Sequence, residues 1–210
     1  LRPGGHDVRI LTAEGGVSVD VDILISKQRI PWSGHSGRFA VPEVYEAIKK
    51  ATMTLVFVNT RSQAELMFQE LWHANEDGLP IALHHGSLAR EQRTKVEAAM
   101  AAGALKAVVC TSTLDLGIDW GEVDLVIQMG APKGAARLIQ RIGRANHRMD
   151  EASRAVLVPT NRFEVLECRA AEAAVEAGEI DGEGVREGSL DVLAQHVMGR
   201  ACGDGFRLEA

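Results

Sequence analysis

Aromatic side chains are scarce in this sequence: five Phe, three Trp and one Tyr make up 4% of 210 residues. That scarcity excludes a core built on ring stacking, so Ala, Val, Leu and Ile must fill the interior within a hydrophobic content of 46%. The length and apolar content suit one globular domain with a real core and a short appendage. Cysteine is also sparse. Cys110, Cys168 and Cys202 stand far apart, which excludes a disulfide framework and a paired-cysteine zinc module and suits a reducing cytoplasm. No apolar run approaches the ~20 residues a membrane span needs, and no signal sequence opens the chain. Leu1 stands where an initiator Met would be, so we read the sequence as a piece of something longer.

An excess of basic residues is missing too. The formal net charge is −6, which on average argues against a phosphate-binding surface. The average conceals an uneven distribution. Lys133, Arg137, Arg141, Arg144 and Arg148 fall in one stretch without an acid, while Glu172, Glu176, Glu179, Asp181, Glu183, Glu187 and Asp191 fall in another. Local surfaces therefore have to be judged one at a time.

Along the chain, residues 1–22 are Gly-rich, and Asp22–Ser26 is strand-like. The string Pro31-Trp-Ser-Gly-His-Ser-Gly37 follows, then a helix from Pro42 to Lys50, where Pro suits the first turn. Apolar runs at 54–58, 81–84, 106–110, 123–128 and 155–158 predict buried strands. Helical spacing marks 61–74, 89–102 (capped by Ser87) and 134–145 between them, and 161–177 beyond. Apolar strands alternating with helices imply a mainly parallel α/β sheet covered on both faces. Ligands of such sheets bind beyond the carboxyl ends of the strands. Residues 178–188 read as a linker, and Ser189 caps a helix whose Leu190, Leu193, Ala194, Val197 and Met198 form one apolar stripe. We expect three parts: a leading segment and inter-lobe linker (1–50), an α/β lobe (51–160), and a linker helix with the start of a truncated domain (161–210).

Four strings carry candidate chemistry. Asn59-Thr60-Arg61 leaves a buried strand and opens a helix, which suits a phosphate. The alternative is plain helix capping. In His84-His-Gly-Ser-Leu88, Gly86 permits close approach and Ser87 can donate to a phosphate. Its two histidines point to opposite faces of a strand, so they do not chelate one ion. Thr111-Ser-Thr-Leu-Asp-Leu-Gly-Ile-Asp-Trp120 offers hydroxyls at one end and Gly117 with Asp119 at the other. The alternative is an ordinary capped turn. Gln140-Arg-Ile-Gly-Arg-Ala-Asn-His-Arg148 places Arg137, Arg141, Arg144 and Arg148 on one helical stripe, with Leu138, Ile142 and Ala145 facing the sheet. A solvated, salt-bridged surface competes with that reading. Against it stand the missing acids and Gly143, which costs a helix roughly 1 kcal/mol relative to Ala. No G-x-x-x-x-G-K-[ST] loop is present and no D-E-x-[DH] run, so any triphosphate cradle and magnesium site must lie elsewhere.

Taken in order, these strings resemble the second RecA-like lobe of superfamily 2 DExH-box helicases, over roughly residues 50–160. Leu55–Arg61, His84–Leu88, Thr111–Trp120 and Gln140–Arg148 correspond to that lobe's four motifs. Pro31-Trp-Ser-Gly-His35, Thr54–Arg61, Gln140–Arg148 and the tail Leu190-Asp-Val-Leu-Ala-Gln-His196 resemble the Lhr-type subgroup, closest to ligase-associated DEXH-box DNA helicases. The resemblance implies a RecA-like, P-loop NTPase fold followed by the opening helix of a winged-helix domain. It implies the C-terminal motor lobe of an ATP-dependent DNA-repair helicase, with the 210-residue chain inactive by itself. It implies ATP and Mg2+ as cofactors, the magnesium ligands being on the first lobe.

By the same resemblance, Thr60, Arg61, Gly86, Ser87 and Thr111 contact the backbone of the bound strand. Gly117, Asp119 and Arg141 meet the nucleotide. Gln140, Arg144 and Arg148 face ATP across a cleft, Arg144 as an arginine finger. The family pattern Q-x-x-G-R-x-x-R would put its last arginine at His147, one position before Arg148, which leaves open whether Arg148 or Arg144 alone meets the γ-phosphate. Implied partners are single-stranded or tailed duplex DNA, the first lobe of the same polypeptide, and a DNA ligase or nuclease. Two other readings compete: a non-motor nucleic-acid-binding module, and a doubly wound transferase, for which no nucleophile or acid–base pair stands out.

Overall fold

Every residue of β2 (Met53–Phe57) is buried, as expected of a strand covered on both faces. The computed structural model describes residues 19–115, 123–144, 153–179, 190–203 and 205. In it, β2 is joined by β1 (Val19–Ile23), β3 (Ile81–His84), β4 (Ala107–Cys110), β5 (Val123–Met129) and β6 (Ser153–Val158). They form one sheet of order β1-β6-β5-β2-β4-β3, with every pairing parallel.

Side chains alternate across β2, as strand geometry requires. Val56 faces a core completed by α1 (Val41–Lys50) and α2 (Arg61–Ala74), through Val44, Ile48, Ala64, Met67 and Leu71. Leu55 and Phe57 face the opposite core, built with α3 (Arg90–Ala101), α4 (Ala135–Ile142) and α5 (Arg162–Glu176), through Met100, Leu138, Ile142 and Cys168. The lobe therefore has helices on both faces of a parallel sheet.

Register decides where the loops emerge. Phe57 pairs with Cys110 on one side and Gln128 on the other, and His84 also pairs with Cys110. The carboxyl ends of β3, β4, β2 and β5 are thus flush, and four loops leave the sheet along one edge.

Several expectations shift. β1 begins earlier than the 22–26 run, and its pairing with β6 makes it an edge strand of the sheet. Together with buried Val44 and Ile48 of α1, this shows no break in packing at residue 50. α5 likewise packs against the sheet, in the opposite core, through Cys168. Ala89, not Ser87, is the N-cap of α3, and no side chain caps it. α4 ends at Ile142: the Gly143 N–H still bonds back to the Ile139 carbonyl, but the Arg144 N–H returns to Arg141, a tighter three-residue turn that closes the helix. α6 (Leu190–Cys202) belongs to a second compact unit, 181–210, in which Leu190, Leu193, Val197 and Met198 are exposed. One helix does not show a winged-helix domain.

Candidate functional site

Thr60 stands at the end of the β2 segment in extended conformation, and its hydroxyl accepts from the Gln63 N–H, capping α2. Capping uses the Thr60 hydroxyl's acceptor capacity. The next side chain, Arg61, crosses to the neighbouring loop and donates to the Ser87 hydroxyl. Ser87 is thereby drawn away from the helix start and into a cleft of about 430 Å3. The cleft is lined by Asn59, Thr60, Arg61, Gly86, Ser87 and Thr111–Thr113. Among the described residues, its lining holds one guanidinium and the hydroxyl-bearing residues Thr60, Ser87, Thr111, Ser112 and Thr113, and contains no acid. A Cβ on Gly86 would meet only the Thr113 methyl, at 3.7 Å. Packing within the lobe thus leaves room for a side chain there, and what a side chain would take up is open cleft.

Behind this surface, the two histidines hold the wall. His84 is 1% exposed, with Nε2 3.0 Å from Glu97 and Nδ1 2.8 Å from Thr113 Oγ1. The Thr113 hydroxyl also donates to the His84 carbonyl, at 3.4 Å. Thr113 is thus turned inward, away from the cleft. His85 is also buried, and its Nδ1 accepts from the Ser87 N–H at 3.3 Å.

Arg141 requires a correction. We expected it on a cationic stripe, as a nucleotide contact. It is 2% exposed. Its Nε donates to Asp115 Oδ1 at 2.9 Å, its Nη1 to Gln128 Oε1, and its guanidinium lies 4.7 Å from the Phe57 ring centre. At 3.6 residues per turn, Arg141 lies about 60° from Leu138, within the arc that faces the sheet, whereas Arg137 lies about 100° away. Arg137 stays half-exposed, with Nε 3.7 Å from Asp115 Oδ2. A guanidinium taken out of water must be paired and hydrogen-bonded, and Asp115 and Gln128 provide that.

The expected stripe therefore breaks into separate parts. Gln140 is exposed on α4. Arg144 lies just beyond the end of α4, half-buried, and its Nε donates to the Gln140 carbonyl at 3.3 Å. Among the described residues no carboxylate pairs with it. Gly117, Asp119 and Arg148 lie outside the described residues.

Sequence reasoning missed Asp115 and Gln128. The available signal was an arginine inside an apolar helical arc, which demands a buried acid or amide nearby. Asn59 completes the network: it accepts from Gln128 at 3.5 Å and donates to the Ala131 carbonyl at 2.9 Å. Asp115, Arg141, Gln128 and Asn59 thus form a polar chain from the turn after β4, through the core, to the residue before Thr60.

A parallel sheet with helices on both faces and a loop cluster along the carboxyl edge is the architecture of a RecA-like lobe, the kind found as the C-terminal half of helicases. The model of the helicase conserved C-terminal domain matches residues 40–149. The chain belongs to that family, and within superfamily 2 it is a C-terminal lobe of Lhr type. It is 38% identical over 161 residues to the ATP-dependent helicase Lhr-Core of Methanothermobacter thermautotrophicus, covering 75% of this chain and 19% of that protein. It is 47% identical over 115 residues to the Lhr helicase/probable uracil glycosylase of Mycolicibacterium smegmatis, covering 55% of this chain and 8% of that protein. Among solved structures, the Mycobacterium smegmatis helicase Lhr bound to ssDNA and AMP-PNP superposes with a TM-score of 0.81 at 34% identity, over 95% of this chain and 27% of that one. The Saccharomyces cerevisiae Dbp5 structure, TM-score 0.63 at 20% identity over 94% of this chain and 49% of that one, shares the fold. The chain thus spans about a fifth of the length of the Lhr-Core relatives it matches.

Proposed function

We propose that this chain is the second motor lobe of an ATP-dependent DNA helicase or translocase, which grips the strand backbone and completes an ATP site begun by a first lobe. The observation that carries the reading is the cleft at the sheet edge. Five residues from three separate loops (Thr60, Arg61, Gly86, Ser87 and Thr111) line it, with donors suited to phosphate oxygens and no acid. Contacts to phosphate position a strand without reading its bases, so little sequence preference follows. The related Lhr structure was solved with ssDNA and AMP-PNP, which supports DNA and a nucleotide as the ligands here.

Bound ATP supplies the phosphoryl group whose transfer to water drives the motor. On this lobe, Gln140 and Arg144 are the described residues that would face it. Their donor set fits phosphate: Gln140 is exposed, and no described carboxylate occupies the Arg144 guanidinium. Arg144 would neutralise negative charge developing on the transferred group from across the cleft, an arrangement worth about 10³–10⁵ in rate in other nucleotide hydrolases. Gly117, Asp119 and Arg148 remain assigned as the resemblance implies. Arg141 is reassigned as a positioning residue that ties α4 to the sheet. The magnesium ligands would lie on the first lobe.

The full-length protein would work in DNA repair, in the cytoplasm, in keeping with three free cysteines. A ligase or nuclease would be its partner. The winged-helix domain would begin at α6.

Arg144→Ala in the full-length protein tests the motor reading. DNA-stimulated ATP hydrolysis should fall by at least about 10³, while binding of a fluorescent ATP analogue should change little. Normal turnover would remove Arg144 from the mechanism, and turnover by the isolated 210-residue chain would refute the half-site proposal.

A further inference from the structure

A second cavity, of about 640 Å3, opens at the same edge of the sheet, beyond β2, β5 and β6. Asn59 and Thr60 line both it and the phosphate-suited cleft, so the two adjoin across these residues. One wall is aromatic. Trp32 is 63% exposed and Phe163 64% exposed, with ring centroids 6.5 Å apart and planes tilted by 55°. Burying such rings would be favourable by itself, so what holds them outside needs an explanation.

The loop 30–35 is fastened at several points. The Arg162 guanidinium lies 4.3 Å from the centre of the Trp32 ring. Arg162 Nε donates to the Ile30 carbonyl at 3.2 Å, and its backbone N–H donates to the Pro31 carbonyl at 3.0 Å. Asn161 Nδ2 donates to the Gly34 carbonyl at 3.1 Å, and His35 Nδ1 lies 3.1 Å from Glu164 Oε1. These bonds present Trp32 as a fixed ring at the mouth of the cavity. The string Pro31-Trp-Ser-Gly-His, which no motor motif uses, is the element they hold.

We propose that Trp32 and Phe163 form a stacking shelf for an unpaired nucleobase of the strand whose phosphates lie in the adjoining cleft. The inference rests on the strand-gripping reading above. Charge decides between base and backbone. Among the described residues the first cleft contains no acid, whereas Glu164 and Glu167, with Lys133 as the one fixed cation beside them, give the second cavity a net negative lining. These carboxylates disfavour a phosphate, while base amino and imino groups can donate to Glu167. Glu164 is already engaged by the Thr160 N–H and hydroxyl, at 2.8 and 2.7 Å. A π-face is common to every base, so the shelf adds grip without sequence preference.

The test uses full-length protein and deoxythymidine oligonucleotides carrying one 2-aminopurine at successive positions. Stacking should quench fluorescence at one or two adjacent positions. Trp32→Ala combined with Phe163→Ala should abolish that quench and weaken binding roughly tenfold. The slope of affinity against salt should stay unchanged, because no phosphate contact is lost. Trp32→Phe should restore most of the quench. Unfolding midpoints equal to wild type would show that the variants fold. An unaltered quenching profile in the double variant would overturn the shelf, and so would weakened ATP binding with strand binding intact. Arg61→Ala separates the two readings. If it weakens strand binding while the shelf variants do not, only the shelf fails. If it leaves strand binding untouched, the cleft reading fails.

Discussion

Arg141 Nε donates to Asp115 Oδ1 at 2.9 Å, and both side chains are almost wholly buried. The same guanidinium reaches Gln128 on β5 and covers Phe57 on β2. One side chain thus locks α4 to the centre of the sheet and to the turn that follows β4. Arg144 lies three residues along the chain, so its position depends on this lock.

Removing one partner of a buried pair leaves the other charge uncompensated, which costs about 3–5 kcal/mol. Arg141→Ala should therefore destabilise the chain by about that much in denaturant unfolding. Arg141→Met combined with Asp115→Asn should cost much less than the sum of the two single changes, because no buried charge remains. A loss below about 1 kcal/mol for Arg141→Ala would contradict the structural role.

Among the described residues, Arg61 is the one cationic side chain lining the strand cleft. Arg61→Ala should weaken binding of single strands about equally for all sequences and lower the salt slope by about one phosphate contact. Titrations of two unrelated oligonucleotides at several salt concentrations would check both. A sequence-selective loss would show that the side chain reads bases instead.

Asp77 carries a pH dependence. Its carboxylate accepts from Lys49 Nζ at 2.9 Å and from the Tyr45 hydroxyl at 3.0 Å. Chiefly through the Lys49 bond, its pKa is lowered from the ordinary carboxylate value. A depressed pKa means stability that is present above the unfolded pKa and lost as pH falls through the folded one. Asp77→Asn should lower the melting temperature at neutral pH, and the gap to wild type should close in acid. Melting curves across that range would reveal a constant gap if the pairing contributes nothing. The pair is largely exposed, so the effect should be small.

Cysteine reactivity should divide by burial. Burial pushes the Cys168 thiol up to about 12, and the buried Cys110 thiol well above its ordinary value. Cys202 is exposed. Because the thiolate is the nucleophile, iodoacetamide at neutral pH should modify Cys202 in native protein and spare the other two. Peptide mass spectrometry would read this directly, and early labelling of Cys110 would mean the sheet core opens.

Local pattern reaches far in this chain. The run at 81–84 emerges as β3 without a shift of boundary, because a short apolar β-rich stretch between helices has few other places to go. Thr60 caps α2 from a bond to Gln63, three residues on. The loop residues Thr60, Gly86, Ser87 and Thr111 were legible as a set because each follows a strand whose end could be read. Arg141, Ser87 and Trp32 were harder. A helical stripe counts steps but does not say where the buried arc ends, so Arg141 was placed with the solvent-facing arginines. Ser87 resembled a helix cap until Arg61, far away in sequence, claimed its hydroxyl.

The alternation of apolar strands with helices, and the polar residues at the strand ends, belong to the sequence by itself, since both follow from periods of two and 3.6 within one short window. Which loops share an edge was decided only by the strand order and the flush register of β3, β4, β2 and β5. The burial of Arg141 against Asp115, and the presentation of Trp32 beside Phe163, were likewise tertiary outcomes. Each depends on a partner brought near by folding, and desolvation makes that partner, not the residue's own polarity, decide whether a side chain turns inward or stays out.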